Sequence, residues 1–153
     1  MDFAFDITLK NRALFKMFLE NLTLDQLNTV PKGFKNNIFW NIAHTVATQQ
    51  LLVYKLSGVP MLLEDVFVDK YRKGTKTEHN ATQNEVDEVK ELLFSTIEKT
   101  QEDYANKFFK TYNEYTVSTK STLTTTEEAI AFNNFHEGIH LGYILAQKKA
   151  LGV

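Results

Sequence analysis

The chain has 153 residues, 43% of them hydrophobic and 12% aromatic, with twelve phenylalanines, two prolines and six glycines. One domain of this length buries roughly two thirds of its unfolded surface, and so few prolines and glycines disfavour a sandwich of many short strands. The net charge of −2 with dispersed lysines and arginines leaves no basic stripe for nucleic acid, and the absence of cysteine excludes disulfides, thiolate ligands and a cysteine nucleophile.

Asp2 and Asp6 among the first apolar residues give no basic leader and no signal peptide. Instead they open a helix from about Phe3 to Glu20, with Phe3, Ile7, Leu14 and Phe18 as its apolar stripe and the polar Asn11 on the same row. Thr23 with Gln26 is a capping-box pattern opening one short turn that stops before Pro31. A second long helix runs from about Asn37 to Ser57, with Ile38, Ile42, Val46, Leu52 and Leu56 as apolar positions. Gly58 and Pro60 then end it in the usual stop order. The stretch from Met61 to Asn80 has mixed periodicity and reads as a connecting loop.

Thr82 with Glu85 is a second capping box, starting a third helix through Val86, Val89, Leu93 and Ile97 to about Asn106. Residues 107 to 124 are rich in Thr, Ser and Tyr and carry no helical stripe, so they form an extended or hairpin-like crossover. Thr125 with Glu128 is a third box, opening the last helix, which reaches about Leu151 before Gly152. The apolar runs are short and broken by charge, so none spans a membrane. The result is one all-α domain over residues 1–153, a four-helix bundle.

The chemistry concentrates in His136-Glu137-Gly138-Ile139-His140 on the last helix. Histidines four apart share a helix face one turn apart, and the string is a literal H-E-x-x-H. His44 lies near the middle of the second helix, at a depth comparable with His136 and His140 near the middle of the fourth. Were those helices adjacent, the three imidazoles would meet at one level and form a divalent-metal site. Three neutral imidazoles with an open fourth position are the pattern of a catalytic metal centre. Glu137 is the candidate catalytic residue, a general base beside the metal, and its bland alternative is to orient His44 or pair with a lysine. His79, in a polar loop, reads as solvated. Asn133 can orient ligands, and Trp40 and Tyr143 either line a pocket or serve as core aromatics. Gly138 and Gly142, each costing about 1 kcal/mol relative to alanine in a helix, point to close packing of a neighbouring helix or a second subunit. The last helix is also apolar almost all round, which places it centrally or partly in a dimer.

With these residues placed, the chain resembles the DinB-like superfamily of DNA-damage-inducible, metal-dependent bundle proteins, which includes the YfiT-like members. The resemblance runs over nearly the whole chain. It is carried by the Leu22-Thr23-Leu24-Asp25-Gln26-Leu27 turn, Pro31-Lys32-Gly33, Asn41-Ile42-Ala43-His44, Lys55-Leu56-Ser57-Gly58 and His136-Glu137-Gly138-Ile139-His140-Leu141-Gly142. It implies an up-down-down-up bundle, commonly a homodimer, holding zinc or nickel through His44, His136 and His140. It further implies an enzyme class of thiol-dependent transferases and isomerases with a low-molecular-weight thiol as cosubstrate, and the leading expectation is a cytoplasmic thiol S-transferase or related hydrolase acting on a small molecule. Two other classes compete: a non-catalytic, stress-related dimeric bundle, and an H-E-x-x-H peptidase. A peptidase lacks a further His, Asp or Glu after His140 to complete its ligand set.

Overall fold

The computed structural model describes residues 1–153 and is almost wholly helical. Helix α1 spans Asp2–Asn21, the short α2 Leu24–Asn28 and α3 Ile38–Gln50, which runs on into a π-helical turn at Leu51–Lys55. Helix α4 covers Asp65–Tyr71, α5 Gln83–Ala105 and α6 Thr126–Leu151, with strands β1 Tyr115–Thr116 and β2 Thr122–Leu123 between the last two. The strands pair antiparallel, Tyr115 opposite Leu123, so the predicted crossover is a small hairpin. The helix starts follow the local chemistry. Thr23 with Gln26 and Thr82 with Glu85 form complete capping boxes, and Asn37 caps α3 by accepting the Trp40 amide at 2.7 Å. At Thr125 the box is half made: its hydroxyl accepts the Glu128 amide, while the Glu128 carboxylate takes the Thr124 amide and hydroxyl.

Two apolar clusters form the core. The larger joins Phe15 and Phe18 of α1, Ile38 to Ala47 of α3, Val86 to Leu93 of α5 and Ile144 of α6. The smaller joins Phe5, Leu52 to Tyr54, Ile97, Ala129 and Ile130 with Val117 and Leu123 of the hairpin. Helices α1 and α6 run from the smaller cluster to the larger, and α3 and α5 run the opposite way. The bundle is therefore up-down-down-up, with α1 and α3 each packed between α5 and α6. Because α3 and α5 are parallel, the chain between them must return the length of the bundle. Between the clusters each long helix crosses a buried polar belt: Thr8 and Arg12, His44 to Gln50, Thr96, and Asn133 with Glu137.

Three expectations are corrected. The inward face of α1 is Phe5, Thr8, Arg12, Phe15, Phe18 and Leu19, whereas Phe3 and Leu14 of the predicted stripe are exposed. The 3-and-4 spacing was present, but two of its members are polar and belong to the belt. The return segment is not all loop: it contains α4, whose Val68 and Tyr71 pack into the core. Finally, beyond the adjoining residues and backbone of α6 itself, nothing lies within 4 Å of a Cβ built on Gly138 or Gly142, so no neighbouring helix explains these glycines. Phe135, Ile139, Tyr143 and Leu145 on the same helix are exposed as well.

Candidate metal centre

Helices α3 and α6 pack directly against each other, which brings His44 to the pair His136 and His140. Their ring centroids lie 5.1 Å (His44–His136), 4.7 Å (His44–His140) and 4.5 Å (His136–His140) apart. One ring nitrogen from each histidine lies within 4.8 Å of the others, so the three can hold a metal ion. Tetrahedral coordination at a metal–nitrogen bond of about 2.0–2.1 Å needs nitrogens about 3.3 Å apart. Small side-chain adjustments therefore suffice to close the triangle.

The surroundings select which nitrogen each ring presents. His44 Nδ1 donates to the Tyr71 carbonyl at 2.6 Å, and a carbonyl can only accept. The Nε2 lone pair is thus free, met only by the Thr48 hydroxyl at 3.3 Å. His140 Nδ1 contacts Asn41 Oδ1 at 2.8 Å. The Asn41 amide group is spent on the Asn37 carbonyl and Gln147 Oε1, so its oxygen is the acceptor and His140 also keeps Nε2 free. Locking one nitrogen to fix the other is the ordinary outer support of a histidine metal ligand. Trp40 stacks on His44 at 4.6 Å and 11°, holding the ring plane.

The donors are also in the right charge state. Burial, assisted by His140, His44 and Arg12, pushes His136 down to about 2. Burial and then His44 push His140 down to about 3. Burial lowers His44 too, opposed by its bond to the Tyr71 carbonyl. All three rings are neutral near pH 7, as ligation requires.

Beside the histidines opens a cavity of about 320 Å³, lined by all three rings, Leu51, Phe132 and Phe135 among others. Glu137 is not on that lining. Its side chain has no solvent access and pairs with the equally buried Arg12, 2.7 Å from Nη2 and 2.8 Å from Nε. Asn133 donates to the same carboxylate oxygen at 2.9 Å, and Arg12 Nη2 reaches the Thr45 carbonyl at 3.4 Å. His136 Nδ1, Glu137 Oε2, Asn133 Oδ1 and Arg12 Nη1 are buried without a partner.

The structure thus brings His44, His136 and His140 together and leaves His79 exposed on the surface. Tyr143 lies outside the cavity, edge-on to Phe34, and 54% exposed. Arg12, Asn41, Thr48 and Tyr71 complete the site without having been singled out from sequence. Tyr71 acts through its backbone carbonyl, which no side-chain pattern could reveal. Arg12 was detectable as the charged member of the 5, 8, 12, 15, 19 row of α1.

No curated protein matches the chain. The family model described as DinB superfamily matches residues 8–144, a span that contains His44, His136 and His140, all of α3 and α5, and the greater part of α1 and α6. With bundle topology, histidine triad and sequence match in agreement, the chain belongs to the DinB superfamily.

Proposed function

We propose that the protein is a cytosolic metal-dependent enzyme, a thiol S-transferase or related hydrolase. In it His44, His136 and His140 hold one zinc or nickel ion as neutral imidazoles. The observation that carries this reading is the convergence of three neutral rings, two with Nδ1 locked by acceptors, on the wall of a cavity large enough for a small molecule. A divalent cation there would lower the pKa of a coordinated water or thiol and supply a nucleophile near neutral pH. The chain's own part is to orient the rings through Tyr71, Asn41 and Trp40, and to exclude bulk water with Leu51, Leu52 and Phe132. With no cysteine in the chain, the thiol arrives as cosubstrate. A non-catalytic bundle with a structural metal would close the fourth position with protein; the cavity beside the rings favours the open form.

Glu137 takes a positioning role in this reading. A carboxylate bonded to Arg12 and Asn133 and absent from the cavity wall neutralises Arg12 and fixes the turn that bears His136. The same placement weighs against a peptidase that uses Glu137 as its base. The exposed glycines and apolar side chains of α6 support a homodimer. Gly138 and Gly142 would admit a second copy's backbone and recover their helix cost.

Metal content per chain, by elemental analysis of wild type and His44→Ala, tests the site. About one zinc or nickel in the wild type and none in the variant is expected, and unchanged content in His44→Ala would end the three-histidine reading. Thiol transfer to electrophiles by the loaded protein then tests the reaction. Light scattering of Gly142→Glu against wild type tests the dimer: a monomeric variant of a dimeric parent is expected, and two identical masses would refute an interface on this face.

A further inference from the structure

The cavity beside the histidines carries a charge pattern that identifies what it binds. No aspartate or glutamate lines it, and Lys73 is its one lysine. Lys73 comes from the segment just after α4, and its Nζ reaches across to the hairpin, 3.0 Å from Ser118 Oγ. Like nine other lysines it makes no ion pair; what sets it apart is its place on this cavity wall with a hydroxyl as its hydrogen-bond partner. Below this rim the wall is apolar, with Leu51, Leu52, Phe132, Phe135 and Ile139. A lone ammonium with only hydroxyl company, above an apolar wall, lacks a counter-ion that a ligand can bring.

We propose that the cavity binds a small carboxylic acid, its carboxylate on Lys73 Nζ and its apolar body against Leu51, Leu52 and Phe132. One cation suits a monoanion; a phosphate dianion would find a single positive partner and no arginine fork. The volume, about 320 Å³, is at the small end of the roughly 300–1,000 Å³ range of ligand cavities. This names the substrate class for the reading above. It rests on that reading for the cavity's being a substrate site, though the carboxylate subsite itself needs no metal.

Isothermal titration of 4-phenylbutanoate and its neutral twin 4-phenylbutanamide into metal-free protein tests the proposal, in wild type, Lys73→Met, Lys73→Arg and Ser118→Ala. Lys73 is exposed, so these variants keep the fold, which circular dichroism verifies. The acid should bind about tenfold more tightly than the amide in wild type, a charge-assisted margin. That margin should vanish in Lys73→Met and persist in Lys73→Arg and Ser118→Ala. Wild-type protein that does not discriminate the two, including one that binds neither, overturns the proposal. So does a margin intact in Lys73→Met, and so does its loss in Ser118→Ala, which would make Lys73 only a strap for the hairpin. Repeating the series with zinc keeps the two readings apart, because a failed metal site alters only the second set.

Discussion

Arg12 and Glu137 are opposite charges with no solvent access to either side chain, and their energetics are those of a buried pair. Removing both ions from water costs nearly as much as their attraction returns, but removing one partner strands the other. Arg12→Met should therefore destabilise the protein by about 3–5 kcal/mol, and adding Glu137→Met should restore much of that loss. Urea unfolding of both variants measures this, and an additive double variant would refute the coupling. The histidines add a pH dependence. In the metal-free protein, His136 and His140 stay neutral down to about 2 and 3, while an unfolded histidine titrates near 6.5. Below about pH 6.5 the unfolded chain takes up protons that the native state refuses. Stability is then full above that pH and falls as pH drops toward about 3, by up to about 1.4 kcal/mol per unit for each histidine. His136→Asn should reduce the slope of unfolding free energy between pH 6.5 and 4.5 by roughly that amount.

At the scale of the elements, α3 is the member on which the site depends. Every residue of it except Thr48 is buried, and it carries Trp40, Asn41 and His44. Its start is set by Asn37, whose side chain accepts the Trp40 amide and donates to the Asn28 carbonyl at 3.1 Å. Asn37→Ala should cost about 1–2 kcal/mol and weaken metal binding by loosening the turn that aims His44. Equal metal affinity in this variant would show that α3 is held by packing alone. Much of this was legible beforehand. The three capping patterns marked the starts of α2, α5 and α6, and the i, i+4 pair with a third histidine at matching depth anticipated the cluster of three histidines. What escaped reading had physical causes. The buried row of α1 includes Thr8 and Arg12, so an apolar count chose the exposed Phe3 and Leu14 instead. Helix α4 is two turns long, with Val68 and Tyr71 buried and Phe67 half-buried against the core, too short for periodicity to show. Lys73 and Ser118 are 45 residues apart and meet only because the return segment and the hairpin fold over the same cavity.

For the whole molecule, the decisive question is whether the fold would depend on a metal held at the three histidines. The two apolar clusters lie on either side of the polar belt, and each contains side chains from all four long helices, the smaller through Phe5, Leu52 to Tyr54, Ile97 and Ile130. Neither cluster needs an ion to close. Two of the three rings, moreover, are aimed by protein groups, His44 by Tyr71 and Trp40 and His140 by Asn41, unlike a site that first forms on binding. Chelation should accordingly leave the helical circular dichroism unchanged. Added zinc should stabilise by mass action alone, about 2.7 kcal/mol at a hundred times the dissociation constant. For a domain of this size that corresponds to a rise in Tm of roughly 5–10 °C. His44→Ala should remove the rise while keeping the helical spectrum, because the belt in which His44 lies is flanked by intact apolar packing. A cooperative loss of helix on chelation would reverse the relation and make the metal a part of the core.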